Sequence, residues 1–101
     1  MKPDQFGISR VHWELIDRIL LKPIRKVGGR VWVFGSRARG DYAKFSDLDI
    51  LLDGAIEPAF LSSISEDLEE STLPFRVDLV CDRDLADAYR AGVLKERVAV
   101  E

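Results

Sequence analysis

Two aspartates one residue apart, Asp47 and Asp49, follow a Gly35-Ser36 pair across a short spacer, and a third aspartate, Asp78, lies alone inside a later apolar run. In an extended strand Asp47 and Asp49 point to the same face and can share divalent cations through their oxygens. A Gly-Ser turn lets the backbone approach a phosphate without a Cβ clash, and the amides that follow can face an anion. Arg37, Arg39 and Lys44 sit beside the acidic pair, so one short region mixes cations for phosphates with carboxylates for metals. In Phe75-Arg76-Val77-Asp78-Leu79-Val80 the only acidic residue is Asp78, and an unpaired carboxylate in such a run is costly. Together these residues suit holding a triphosphate on metal ions.

The elements that must position them are legible from periodicity. Ile8, Val11, Leu15, Ile16, Ile19 and Leu20 recur at helical spacing with Glu14, Asp17 and Arg18 between them, which predicts an amphipathic helix that ends or kinks near Pro23. Gly28-Gly29 breaks the chain before Val31-Trp32-Val33-Phe34, a β-branched and aromatic run that reads as a buried strand delivering the Gly35-Ser36 turn. Residues 36–40 suit a short helix, 41–45 a loop, and 47–52 a second strand. Alternation there puts Asp47, Asp49 and Leu51 on one face, and Leu48, Ile50 and Leu52 on the other, against helices. Pro58 opens a helix continued by Phe60 or Leu61, Ile64 and Leu68 until 72–74 interrupt it. A third strand over 75–80, a helix from about 82–85 toward Lys95, and a terminal strand at 98–100 complete the reading.

A chain of 101 residues is a single domain, 1–101, with a core large enough to fold alone and little room for a second module. Its 47% hydrophobic and 33% charged residues exclude a disordered chain. The net charge of -3 argues against a domain that grips nucleic acid through a broad basic surface, and no direct nucleic-acid binding is expected. No apolar run approaches the ~20 residues of a membrane span, and Met1-Lys2-Pro3-Asp4-Gln5 lacks the apolar core of a secretory signal, so a cytoplasmic protein free of membrane anchors is expected.

Several polar and aromatic residues read as structural. The single cysteine, Cys81, ends an apolar run and suits a buried thiol. His12 has no second histidine or cysteine near it, which speaks against zinc. Trp13, Trp32 and Phe34 belong to regular amphipathic or buried elements, hence to core or interface rather than a base-stacking platform. Glu66, Asp67, Glu69 and Glu70 form the wet face of their helix.

With Gly35-Ser36, Asp47-Leu48-Asp49 and Asp78 in place, the chain resembles the nucleotidyltransferase domain of the DNA polymerase β superfamily. That family's pattern is Gly-Ser, a short spacer, Asp-x-Asp and a third carboxylate on a later strand. The length and the form Gly-Ser-Arg-Ala-Arg-Gly followed by Ser-Asp-Leu-Asp resemble the small minimal nucleotidyltransferases, or MNT proteins. The resemblance runs from the first helix through Val80. It implies an α/β (α+β) fold with a small mixed sheet and helices chiefly on one side, the acidic triad lying on the sheet. By the family pattern Asp47 and Asp49 bridge two metal ions, Mg2+ being favoured. Asp78 binds the ion nearer the acceptor and helps activate its hydroxyl. Gly35 and Ser36 hold the terminal phosphates, and Arg37 or Arg39 adds charge-assisted contacts.

The activity implied is transfer of a nucleoside monophosphate from a triphosphate, ATP being the favoured donor, to a hydroxyl, with pyrophosphate leaving. In the MNT group the implied role is antitoxin: AMP is placed on a tyrosine of an all-helical HEPN-domain toxin, which also supplies the missing wall of the cleft. Two other readings stay open at this level. One is a binding antitoxin that occludes its partner without catalysis. The other is a subunit of an enzyme modifying a small molecule such as an aminoglycoside, or a nucleic-acid end.

Overall fold

Alternation along two apolar runs decides which side of the sheet is wet. In the computed structural model, which describes residues 5–100, strand β1 (Arg30–Phe34) buries Val31 and Val33 and leaves Trp32 and Phe34 half-buried on its other side. Strand β2 (Leu48–Asp53) buries Leu48, Ile50 and Leu52 completely and turns Asp49 and Asp53 the other way. The strand begins at Leu48, so Asp47 immediately precedes it instead of opening it. Strand β3 (Val77–Cys81) starts two residues later than the apolar run suggests, and β4 (Val98–Ala99) is short. The segment Met1-Lys2-Pro3-Asp4, on which most of the secretory-signal reading falls, and the last residue of the 1–101 domain lie outside the described residues.

The strand order is β3-β2-β1-β4, with β1 antiparallel to both β2 and β4, and β2 parallel to β3. A parallel pair cannot be joined by a hairpin, and the crossover is made by helix α4 (Pro58–Glu70). The sheet is therefore mixed, as the family resemblance implies. Register sets Phe34 opposite Asp49, and Asp49 opposite Asp78, so three strands present these residues side by side on one face.

The opposite face carries the core. Helix α1 (Arg10–Ile16) is capped by Ser9, whose side chain accepts the His12 N–H; a π-helical stretch (Asp17–Leu21) and α2 (Lys22–Lys26) continue the same path. The path does not stop at Pro23. The Lys22 N–H bonds the Asp17 carbonyl just ahead of the proline, and this wider i→i+5 turn accommodates a residue that has no N–H to give. The buried stripe differs from the expected one at its start. Trp13, Ile16, Leu20, Leu21 and Ile24 are buried, whereas Val11, expected on that stripe, is 70% exposed. Ile8 is buried from a position ahead of the helix.

From α4, Ile64 and Leu68 join this core while Glu66, Asp67, Glu69 and Glu70 stay exposed, as their spacing predicts. Each fully buried Leu or Ile stabilises the fold by roughly 1.5–3 kcal/mol. Cys81 is buried here, and desolvation raises its thiol pKa. Helix α5 (Asp87–Glu96) begins later than predicted, after a 3-10 turn (Asp82–Asp84) that Arg90 pins through the Asp82 carboxylate (2.9 Å) and the Asp82 and Leu85 carbonyls. The helices thus lie chiefly on one side of the sheet, as expected. Among the described residues, no helix is long and apolar enough to cross a membrane.

Candidate active site

The β1 strand ends in a turn that only glycine fits. Gly35 has φ +75° and ψ −156°, and a Cβ there would run into the Asp49 carboxylate. The backbone and the acidic strand are in close approach because this residue has no side chain. After the turn, helix α3 (Ser36–Arg39) closes on Gly40, whose left-handed conformation (φ +90°) lets its N–H return to the Ser36 carbonyl at 2.9 Å. Gly35→Ala is expected to abolish transfer and destabilise the fold by at least about 1 kcal/mol, since it adds both left-handed strain and a clash. Thermal melting and a transfer assay check it, and a parent-like variant would mean that the approach is not required.

Gly35, Ser36, Arg39, Asp47 and Asp49 line one open cleft of about 640 Å³, together with Phe34, Phe45, Ser46, Val93 and Glu96. That volume lies within the ~300–1,000 Å³ common for small-molecule sites. Asp78 is Asp49's register partner but opens onto an adjoining groove beside Ser62 and Ser65, and its carboxylate is held by Arg76 Nε at 3.0 Å. Among the described residues, no three His, Cys, Asp or Glu side chains stand together as a ready-made metal cage.

The electrostatics nevertheless favour a cation. Burial pushes the Asp49 carboxyl above the usual carboxylate range, and the negative charges of Asp78 and Asp47 push it further, with Arg39 opposing them. Carboxylates that repel one another in a partly desolvated cleft lose that repulsion when a cation enters. Oxygen donors alone suit a hard ion such as Mg2+. The residues therefore fit a divalent metal, with Asp47 and Asp49 in the cleft and Asp78 available once Arg76 lets go.

The two arginines of the Ser36-Arg37-Ala38-Arg39 turn part company. Arg39 is exposed at the cleft, between Asp41 (3.2 Å) and Glu96 (3.3 Å). Arg37, a candidate phosphate contact by sequence, is instead 2% exposed. Its guanidinium donates to the carbonyls of Ser46 (2.9 and 3.0 Å), Phe6 (2.9 Å) and Lys44 (3.3 Å), with the rings of Phe75 and Tyr42 against it. Desolvation lowers its pKa. It ties down the loop that leads into Asp47 and does not line the cleft. Lys44 is also outside the cleft lining, its ammonium 5.3 Å from the ring centre of Phe45.

Glu96 escapes the sequence reading. One carboxylate oxygen accepts the Gly35 N–H at 2.9 Å across 61 positions of chain, and no local pattern at the end of α5 announces it. The Arg76–Asp78 pair did have a signal, since residues two apart in a strand share a face. The aromatics divide as well. Trp13 is buried with its indole N–H donating to the Gln5 carbonyl, Trp32 lies under the Arg97 guanidinium at 4.2 Å, and Phe34 reaches the cleft wall. His12 pairs with Ser9 and meets the edge of Phe75, with no metal-type partner among the described residues.

Comparison with known proteins identifies the family. Residues 16–100 match the family described as nucleotidyltransferase domain. The chain is 36% identical over 73 residues to the "Probable protein adenylyltransferase MntA" of Haemophilus influenzae, a match covering 70% of this chain and 64% of that protein. It is 40% identical over 78 residues to the protein adenylyltransferase MntA of Thermococcus cleftensis, covering 76% of this chain and 75% of that one. A solved minimal nucleotidyltransferase structure superposes with a TM-score of 0.70 at 31% identity, over 93% of this chain and 98% of its own. With the Gly-Ser turn beside an aspartate pair in one cleft, on a fold that superposes well on a solved relative, the chain belongs to the nucleotidyltransferase domain family, in its minimal group.

Proposed function

We propose that this chain transfers AMP from ATP, with Mg2+, to a hydroxyl of a protein, and that the acceptor is a tyrosine of a helical HEPN-type toxin which the chain neutralises as an antitoxin in the cytoplasm. The observation that carries this reading is the placement of Gly35 and Ser36 in one cleft with Asp47 and Asp49, with Asp78 next to Asp49 in register. The names of the MntA relatives support adenylyl transfer to protein.

In this reading the acceptor oxygen attacks the α-phosphorus, the bond from that phosphorus to the bridging oxygen breaks, and pyrophosphate leaves. The Gly35 N–H and the Ser36 hydroxyl hold the departing phosphates, and Arg39 adds a charge-assisted contact from the cleft edge. Asp47, Asp49 and Asp78 would hold the divalent ions, which would neutralise phosphate charge and make the acceptor hydroxyl easier to deprotonate. Asp78 would hold the ion nearer the acceptor and would have to exchange Arg76 for this task. The cleft is open, so a docked partner would supply orientation as well as the hydroxyl.

A non-catalytic antitoxin is the second reading, and the Arg76–Asp78 contact is what favours it. One experiment separates them: incubate the purified chain with the product of its genomic neighbour, Mg2+ and each nucleoside triphosphate in turn, then take intact masses of both. Gain of one or more AMP masses by the partner, with ATP and only with Mg2+, is the expected result. Neutralisation of the partner at unchanged mass would replace catalysis by occlusion, and rapid labelling of a small molecule with no protein labelled would replace the partner altogether.

A further inference from the structure

Glu96 occupies a place that its own surroundings do not favour. It is the last residue of α5, where a negative charge opposes the helix dipole, and it lines a cleft that already holds Asp47 and Asp49. What holds it there is a pair of donors: the Gly35 N–H at 2.9 Å, and Arg39 Nη1 at 3.3 and 3.5 Å from its two oxygens. The side chain is 28% exposed, so these bonds are shielded in part from water. These are two of the donors, beside the Ser36 hydroxyl, that an anionic phosphate oxygen would use at the cleft. A backbone N–H points in one direction and serves one strong acceptor well, so carboxylate and phosphate cannot both have it.

We propose that Glu96 is a built-in occupant of the phosphate subsite, a carboxylate standing where a nucleotide phosphate binds, and that the triphosphate must displace it from Gly35 and Arg39. The inference rests on the nucleotide-binding reading above and adds a competing group from the far end of the chain. Glu96 keeps the Gly35 amide satisfied and the turn ordered while no nucleotide is present, at a cost in affinity for the triphosphate. A cellular nucleoside triphosphate then binds in exchange for an internal ion pair, which sets its apparent affinity without altering the aspartates.

The test is equilibrium binding of α,β-methylene-ATP, whose α–β link cannot be broken, with Mg2+, to the parent chain and to Glu96→Ala, Glu96→Gln and Asp41→Asn. Thermal melting of each verifies folding, and Glu96→Gln retains the acceptor if the alanine variant is unstable. Asp41 pairs with Arg39 at 3.2 Å, and the Gly35 N–H bonds Glu96 instead, so it controls for simple loss of negative charge. Release of a charge-assisted competitor predicts binding about tenfold tighter or more in Glu96→Ala, and tightening in Glu96→Gln. Asp41→Asn should change affinity by no more than about fivefold. In the parent, the amide resonance of Gly35 and the carboxyl resonance of Glu96 should both move on saturation with the analogue. Unchanged affinity in Glu96→Ala, or equal tightening in Asp41→Asn, overturns the displacement. Weaker binding in both Glu96 variants makes Glu96 a metal or nucleotide ligand and overturns it too. If neither the parent nor any variant binds the analogue, the nucleotide-site reading falls and this inference falls with it, whereas parent binding without tightening removes the inference alone.

Discussion

Asp49→Asn is expected to remove transfer activity while raising the melting temperature of the metal-free protein. Asp49 is the carboxylate whose proton affinity the fold raises, first by desolvation and then by the charges of Asp78 and Asp47. A carboxyl with a raised folded-state pKa binds its proton more tightly folded than unfolded. Its contribution to stability is therefore fully present below the unfolded carboxylate pKa and lost as the pH rises through the folded value. At neutral pH the ionised Asp49 works against the fold, and asparagine removes that opposition at nearly constant shape. The stability advantage of the variant should shrink as the pH falls through the raised pKa. Added Mg2+ should reverse the order, because a ligand that binds only the folded state stabilises it by mass action, and the variant has lost an anionic donor. Metal-assisted charge stabilisation is worth several kcal/mol, which corresponds to a loss of at least about a hundredfold in rate. Melting curves over a pH series, with and without Mg2+, and label incorporated from ATP are the measurements. Activity within about twofold of the parent would sink the metal role, and a lower metal-free melting temperature would sink the electrostatic account.

Arg37→Ala should behave in the opposite manner, as a folding defect first and a functional one only in consequence. The buried guanidinium serves the carbonyls of Phe6, Lys44 and Ser46, which without it are left short of donors, and the space between Phe75 and Tyr42 is emptied. A buried unsatisfied polar group costs about 1–3 kcal/mol, so the loss should reach ~3 kcal/mol. In a domain of this size each kcal/mol lowers the melting temperature by about 4–8 °C. Arg37→Lys should recover only part of this, since one ammonium cannot reproduce a planar fork reaching three carbonyls. Arg39→Ala is the contrast: exposed at the cleft edge, it should weaken triphosphate binding with little change in melting. An Arg37→Ala protein that melts like the parent but binds triphosphate poorly would return Arg37 to the phosphate role and take away the structural one.

The two arginines mark where local pattern stops. Gly35-Ser36-Arg37-Ala38-Arg39-Gly40 reads as a turn followed by a short helix, and the structure has both, because φ preferences and capping act over a few residues. Nothing in that stretch says which arginine faces inward. That depends on Phe6, Tyr42 and Phe75 arriving around one of them from three other places in the chain. The first helix shows the same limit: its apolar spacing includes Val11, but the side that the core covers is the one carrying Trp13 and Ile16, and Val11 is left in water.

By itself the sequence determined the chemistry and the sidedness. Strand alternation places Leu48, Ile50 and Leu52 opposite Asp49, a single acidic residue in an apolar run marks Asp78, and the Gly35-Ser36 pair marks the turn after the first strand. These are consequences of a period-two backbone and of hard sterics, and both act on neighbours in the chain. Only the tertiary structure decided that Asp49 and Asp78 share a register, that Arg76 holds Asp78, and that Glu96 reaches across the cleft to the Gly35 amide. Parallel pairing across α4 and the return of α5 bring together residues that no short window contains. The reason is physical: strand register and helix packing are set by burial of the whole core, so which charges meet at its edge follows from the fold as a unit.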